Sequence, residues 1–296
     1  MAIARLCDPA SMLVIAEHLF SLLALLGCLF LVGAVSYHTV RLAQKKPSQK
    51  REWADDQKLL PYAEFSGDTV RVQNIRHFAY KTVSDYTAQY DDVVFDLRTL
   101  KDLSFIIEPF SSYKGVAHTL LSFGFTDGKY LSLSVEIRNQ KGDIFSAFSS
   151  GVRGLLKQYE LMYVLADERD TVNLRANYRK DSVFLYPLRT DSAHLRDSFV
   201  SVLTRANALR EHPEFYHTLT SNCTTNLFRH VEEACDKKIP WSITHIFPRS
   251  ADRFLYKLGL LDTGLSFDQV RAAHRINELA RVAINDPEFS LRIRGK

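Results

Sequence analysis

Leu19 to Tyr37 is a run of nineteen residues without a single Asp, Glu, Lys, Arg, His or Pro. No other feature limits the fold of this chain so strictly. An uninterrupted apolar run of that length suits a bilayer, which takes ~20 residues to span. A cleaved signal peptide and a buried core helix are the other readings. The run is long for a signal peptide, and no clear small-x-small cleavage pattern follows it. The sequence therefore predicts a membrane anchor in residues 1–43. Residues 44–57, rich in Lys, Gln and charge around Pro47, read as a linker. The folded domain is then 58–296, beginning near Trp53 or Leu60.

The formal net charge is +4, and all of it lies in the first 51 residues. There Arg5, Arg41, Lys45, Lys46, Lys50 and Arg51 outnumber Asp8 and Glu17. The rest of the chain is neutral, with its charges interleaved. It lacks the electrostatic footprint of a nucleic-acid binder. The basic residues follow the apolar run, and only Arg5 precedes it. By the positive-inside tendency the domain would face the cytoplasm.

Within the domain, strands come first and helices later, which predicts an α+β fold. Val70–Tyr80, Val93–Phe95 and Phe105–Ile107 read as strands, the last ended by Pro109. Val116–Phe125 and Tyr130–Arg138 read as a hairpin around Thr126-Asp127-Gly128-Lys129. In its second arm Leu131, Leu133, Val135 and Ile137 share one face, and Ser132, Ser134, Glu136 and Arg138 the other. A two-residue loop would put His118 on the face of Ile137. A three-residue loop with Gly128 in the left-handed region keeps one face apolar. It sets His118 opposite Arg138 with Glu136 as diagonal neighbour, so that His118 and Glu136 share a polar face. Gly151–Tyr159 reads as turn-like and basic, Leu161–Ala166 as a strand, Asp167-Glu168-Arg169-Asp170 as a charged turn, and Val172–Asn177 and Val183–Leu188 as further strands. Helices are expected at Leu195–Arg210, from Cys223 onward, at Ala251–Leu258 and at Phe267–Ile284.

The four cysteines, Cys7, Cys28, Cys223 and Cys235, form no C-x-x-C pair, so no structural zinc is implied. Cys223 and Cys235 are twelve residues apart on one helix, ~18 Å along its axis, too far to bridge. Cys223 follows the polar run Tyr216–Asn222 and precedes apolar residues at helical spacing: Leu227, Phe228, Val231 and Cys235. Ser221 or Asn222 is a natural N-cap. Cys223 then sits in the first turn, where the dipole and free N–H groups favour a thiolate and a developing oxyanion. A thiol nucleophile needs a base and a group to orient it. His118, with Glu136 on the neighbouring strand, fits those roles. His217 lies in the loop and His230 on the polar side of the helix.

A resemblance follows from several separate motifs. They are Gly115-Val116-Ala117-His118-Thr119, Ser134-Val135-Glu136-Ile137-Arg138, Tyr159-Glu160-Leu161, Asp167-Glu168-Arg169-Asp170 and Ser221-Asn222-Cys223-Thr224-Thr225. Trp53 with Asp56, and Asn74-Ile75-Arg76 with Tyr80, complete the pattern. From about Trp53 onward the chain resembles the Lnb N-terminal periplasmic domain family. The order histidine, polar residue, cysteine is similar to permuted papain-like thiol enzymes, among them NlpC-type amidases and the lecithin:retinol acyltransferase group. The resemblance implies an export-side location, against the charge bias; with the one predicted span, the chain reads as a single-pass protein of the bacterial inner membrane with its domain in the periplasm. The resemblance also implies lipoprotein N-acylation, although this chain carries one span rather than several.

The reading that results is a permuted papain-like α+β enzyme in which Cys223 forms an acyl-enzyme. His118 is its base and Glu136 orients the imidazole. Asn222 and Thr224, with the backbone N–H groups of Cys223 and Thr224, flank the oxyanion. The substrate is a membrane lipid or lipoprotein, and no cofactor or metal is called for. The same machinery would also suit an amidase or peptidase cutting cell-wall peptide. A non-catalytic binding module of the same fold is the third possibility.

Overall fold

The computed structural model describes residues 9–110, 115–143, 147–261 and 263–296. The chain divides into two units between Lys46 and Pro47. The first holds one helix, α1 (Pro9–Gln44). Its Ala16–Gln44 stretch is long and apolar enough to cross a membrane. None of its described side chains is buried.

The second unit is α+β. Its strands are β1 (Tyr62–Ser66), β2 (Thr69–Arg76), β3 (Ala79–Tyr80), β4 (Tyr86–Thr87), β5 (Tyr90–Asp96), β6 (Leu100–Pro109), β7 (Ala117–Phe125), β8 (Tyr130–Arg138), β9 (Glu160–Asp167) and β10 (Phe184–Pro187). The main sheet runs β1-β2-β9-β8-β7-β6-β10, with β5 also paired to β2. Its pairings are antiparallel except one parallel bridge, Arg76 to Ala166, between β2 and β9. The helices of this unit are α2 (Ala147–Leu155), α3 (Glu168–Asn173), α4 (Ser192–Glu211), α5 (Cys223–Cys235), α6 (Ala251–Lys257), α7 (Phe267–Ala273), α8 (Asn277–Val282) and α9 (Phe289–Arg292).

The β7–β8 hairpin decides where the polar residues go. Gly128 sits at φ 86°, a backbone that suits glycine. The Phe125 N–H donates to Lys129 O at 3.0 Å, and the Gly128 N–H donates to Phe125 O at 3.1 Å. This is a three-residue bulged turn in which the left-handed glycine closes the loop. The loop is therefore Thr126-Asp127-Gly128, and Leu120 pairs with Ser134. That corrects the expected register by two residues. Continued along the strands, it sets Glu136, not Arg138, opposite His118. A shift of two leaves every side chain on its expected face.

Leu121, Phe123, Leu131, Leu133, Val135 and Tyr163 meet α4 and α5 in the main core. Phe199 of α4 stands edge-on to Phe123 with ring centroids 5.1 Å apart. Leu227, Phe228 and Val231 of α5 are fully buried there, each large apolar side chain worth ~1.5–3 kcal/mol. The other face carries Leu120 and Ile106, packed with Val172 and Ala176. It also carries serines: Ser122 Oγ donates to Glu168 at 2.6 Å, and Thr171 Oγ1 donates to Ser132 Oγ at 3.0 Å.

Four segments differ from the sequence reading. Val172–Asn177 is helical rather than a strand. Asp167 caps α3 by accepting from the Arg169 N–H, so the charged stretch read as a turn is a helix start. The helix then continues into a π-helical turn, Leu174–Tyr178. Part of Gly151–Tyr159 belongs to α2. The expected helix Phe267–Ile284 is two short ones, α7 and α8, parted where the Ile276 N–H turns to Val183 O. The stretch read as a linker is also docked from Ser48 on. The Ser48 N–H donates to Glu160, Arg51 pairs with the same carboxylate at 2.7 Å, and Trp53 lies under the Arg138 guanidinium.

Candidate active site

His118 stands on β7 between two carboxylates. Glu108 of β6 is its register partner on one side, and Glu136 of β8 is opposite on the other. The His118 Nε2 is 2.7 Å from Ser134 Oγ. Ser134 Oγ donates to Glu136 Oε1 at 2.7 Å. A hydroxyl that gives its proton to a carboxylate accepts from the ring, so Nε2 carries the hydrogen. Nδ1 is left with its lone pair, and no hydrogen bond to it is formed among the described residues.

Cations crowd this row. Arg175 Nη2 lies 3.6 Å from Glu136 Oε1, and its Nε lies 2.9 Å from Glu108 Oε2. Arg179 Nη1 lies 3.7 Å from Glu108 Oε1. The contact with Arg175 Nε is one of charge rather than an aligned hydrogen bond, and Asp181 also bears on Glu108. The π-helical turn carries Arg175, and Arg179 follows it; such turns gather at functional sites. Gln57 donates to Glu136 Oε2 at 3.3 Å from the docked N-terminal segment.

A second buried pair borders the row. Asp170 accepts from Arg76 Nε at 3.1 Å and from Nη2 at 2.9 Å. It also accepts from the Phe78 N–H at 2.8 Å and the Tyr80 hydroxyl at 3.0 Å. Every acceptor position of this carboxylate is met, which is what a buried charge requires.

Burial, and then the Arg175 guanidinium, hold the His118 pKa well below the usual imidazole value. The ring is therefore neutral at pH 7. Burial acts to raise the Glu136 carboxyl, but Arg76 and Arg175, with the hydrogen bond from Ser134, outweigh it and keep the group ionised. Burial pushes Glu108 upward against its arginines. The side chains of His118 and Glu136 keep 14% and 16% exposure, while Ser134 is fully buried. The imidazole thus keeps some exposure, and the buried serine hydroxyl is committed to bridging it to the carboxylate.

Cys223 lies elsewhere. It opens α5, and Asn222 caps that helix in a reciprocal box with Thr225. Its side chain packs against the core on the α4 and α5 face. His118 alternates to the other face with Leu120, so the sheet stands between thiol and imidazole. The structure does not bring the two together. Burial raises the Cys223 thiol pKa, although Thr224, the Tyr216 hydroxyl and the first-turn N–H groups act to lower it. Asn222 is spent structurally: its Nδ2 donates to Thr218 O at 2.7 Å and to His245 O at 2.9 Å. Thr224 is buried, with its Oγ1 3.8 Å from the Cys223 sulfur.

The sequence reading did not single out Glu108, Ser134, Arg175 or Arg179 as site residues. Glu108 had a signal, as a lone charge ending the apolar run Phe105-Ile106-Ile107. Arg175 was hidden by the mistaken strand. In contrast, Asp56, Arg76, Tyr80, His118, Glu136 and Asp170, quoted from separate motifs, gather on one face. Asp56 feels both Arg76 and Glu136, with burial raising its pKa first. Among the described residues no group of His, Cys, Asp or Glu is arranged to hold a metal ion.

A family model described as the Lnb N-terminal periplasmic domain matches residues 86–249. No curated protein and no solved structure matches the chain. The match covers more than half of the sequence and contains His118, Glu136, Asp170, Arg175 and Cys223. The chain belongs to the Lnb N-terminal periplasmic domain family.

Proposed function

We propose that this family member is a single-pass inner-membrane protein whose periplasmic domain transfers acyl groups between lipid or lipoprotein substrates. The observation that carries the reading is a neutral, oriented His118, whose Nδ1 no described residue bonds, beside Arg175 and Arg179. A base of that kind removes a proton from an attacking amine as its nitrogen adds to an ester carbonyl. The guanidiniums offset the negative charge that forms on the carbonyl oxygen. When the carbon–oxygen ester bond breaks, the leaving alkoxide takes the proton back from Nδ1. Glu136, acting through Ser134, stabilises the imidazolium between those two steps. With water in place of the amine, the same groups hydrolyse the ester or an amide.

A thiol route is the second reading. It is favoured by the place of Cys223 in the first turn of α5, with N–H groups at the sulfur and the Tyr216 hydroxyl beside it. In that route Cys223 takes the acyl group as a thioester before an amine resolves it. The order of the family's motifs fits such a permuted papain-like scheme. The sheet leaves His118 out of reach as its base, so the direct route is preferred.

The test reconstitutes the full chain with phospholipid and a diacylglyceryl peptide bearing a free amine. Acyl gain on the peptide, lost in His118→Ala and kept in Cys223→Ala, supports the direct route. A mass increase on Cys223 with loss of transfer in Cys223→Ala establishes the thiol route instead. Release of peptide from cell-wall fragments, without acyl transfer, would replace both with an amidase.

A further inference from the structure

The domain exposes large apolar side chains on three neighbouring segments. Val152, Leu155 and Leu156 at the end of α2 are 44%, 41% and 38% exposed, and Leu219 in the loop before α5 is 46% exposed. Trp241 and Ile243, after α5, reach 69% and 60%. Short bonds tie the segments together. Thr218 Oγ1 donates to Gly151 O at 2.7 Å, and Asn222 Nδ2 bridges Thr218 O and His245 O. Contiguous apolar exposure of this kind marks a binding surface rather than ordinary scatter.

The point where the chain enters the domain identifies the partner. Only Lys45, Lys46 and Pro47 separate the end of α1 from Ser48, and such a segment reaches at most ~14 Å. Ser48 is bonded to Glu160, and Gln49 Nε2 donates to Leu209 O and Arg210 O. Glu160 follows Leu156 after only Lys157, Gln158 and Tyr159, and it bridges to Phe215, four residues before Leu219. The apolar surface therefore begins beside the point of tethering. Lys50 and Arg210, both exposed, and Lys157, partly so, add positive charge on the same side, which suits anionic headgroups.

We propose that Val152, Leu155, Leu156, Leu219, Trp241 and Ile243 form a face that inserts shallowly into an anionic bilayer surface. This rests on the anchoring of α1 given above. It adds a second, interfacial contact of the domain itself, of the kind made by apolar and basic residues at a headgroup boundary. The N-terminal end of α5 is then held against lipid.

Trp241 reports the contact, because the only other tryptophan, Trp53, is buried at 7% exposure. The full chain is reconstituted in phosphatidylglycerol or phosphatidylcholine vesicles containing brominated lipid. Docking shifts Trp241 emission to the blue and quenches it, more in phosphatidylglycerol, relative to a Trp241→Phe control. The triple variant Leu155→Glu, Leu219→Glu, Ile243→Glu abolishes the quenching while still floating with the vesicles. These side chains are exposed, so its circular dichroism should match the parent. A chain that floats with vesicles while Trp241 stays unquenched and open to iodide overturns the docking face and leaves the anchor standing. A chain that does not float overturns both. Shielding of Trp241 that rises with protein concentration in lipid-free detergent assigns the face to a second copy and overturns the proposal.

Discussion

His118 Nε2 and Glu136 Oε1 lie 3.9 Å apart, with the Ser134 hydroxyl bridging them through two 2.7 Å contacts. The bridge fixes which nitrogen carries the hydrogen and sets the carboxylate on the Nε2 side of the ring. His118→Ala should lower kcat/KM by ~10²–10⁴, the usual worth of a positioned base. Ser134→Ala keeps both ionisable groups and removes only the relay. Its loss should be smaller and fall on kcat with KM unchanged. Equal losses in kcat for the two variants would mean that the serine does more than position the ring.

The depressed His118 pKa also shapes the response to pH. The native ring resists protonation, whereas in the unfolded chain it titrates near the ordinary ~6.5. This site's contribution to stability is therefore complete above that value and is lost as pH falls below it, by up to ~1.4 kcal/mol per pH unit. Glu136, whose native pKa is also lowered, adds a second loss below the ordinary carboxylate value of ~4.3. Denaturant midpoints at pH 7 and pH 5 should separate by less in His118→Gln than in the parent. The acid limb of kcat/KM should lie well below pH 6.5. A limb at the ordinary imidazole value would mean that the site is open and solvated.

How far the sequence foretold this arrangement depends on the kind of signal each residue carried. Alternation placed His118 and Glu136 on one face although the pairing was wrong, because a two-residue slip preserves parity. The N-cap at Asn222 and the helix from Cys223 were legible because capping is local in sequence. The separation of Cys223 from His118 was not, since nothing in the spacing says which face of the sheet a later helix will cover. Arg175 was hidden for a different reason. Thr171-Val172 favours a strand by propensity, and the cap at Asp167 with buried partners on both sides overrode it.

The Arg76–Asp170 pair is a separate support of the same face. Both side chains are at most 5% exposed, and Asp170 also fixes Phe78 and Tyr80. Asp170→Ala strands a buried guanidinium and should cost ~3–5 kcal/mol. Asp170→Asn keeps the shape and some hydrogen bonds, and should cost less. Urea midpoints at constant slope measure both. A loss below 1 kcal/mol for the alanine variant, on the order of an exposed pair, would show that water reaches the site.

Arg294 ties the C-terminal segment to this polar face by a similar contact. Its two terminal nitrogens each lie 2.7 Å from one oxygen of Glu168, and its guanidinium lies 3.8 Å from the centroid of the Tyr130 ring. The Glu168 side chain is fully buried and also accepts from Ser122 at 2.6 Å. Removing the arginine leaves that charge unpaired in the interior, so Arg294→Ala should cost ~3–5 kcal/mol. Arg294→Lys keeps the charge but not the two-pronged geometry, and should recover only part of the loss. The double variant Arg294→Ala, Glu168→Gln removes both charges and should be more stable than Arg294→Ala alone. Chemical denaturation of the parent, Arg294→Ala, Glu168→Gln and the double variant forms a closed cycle. A coupling energy near zero would mean that Phe289 and Ile293 hold the segment by packing alone, whereas strong coupling assigns its docking to the ion pair.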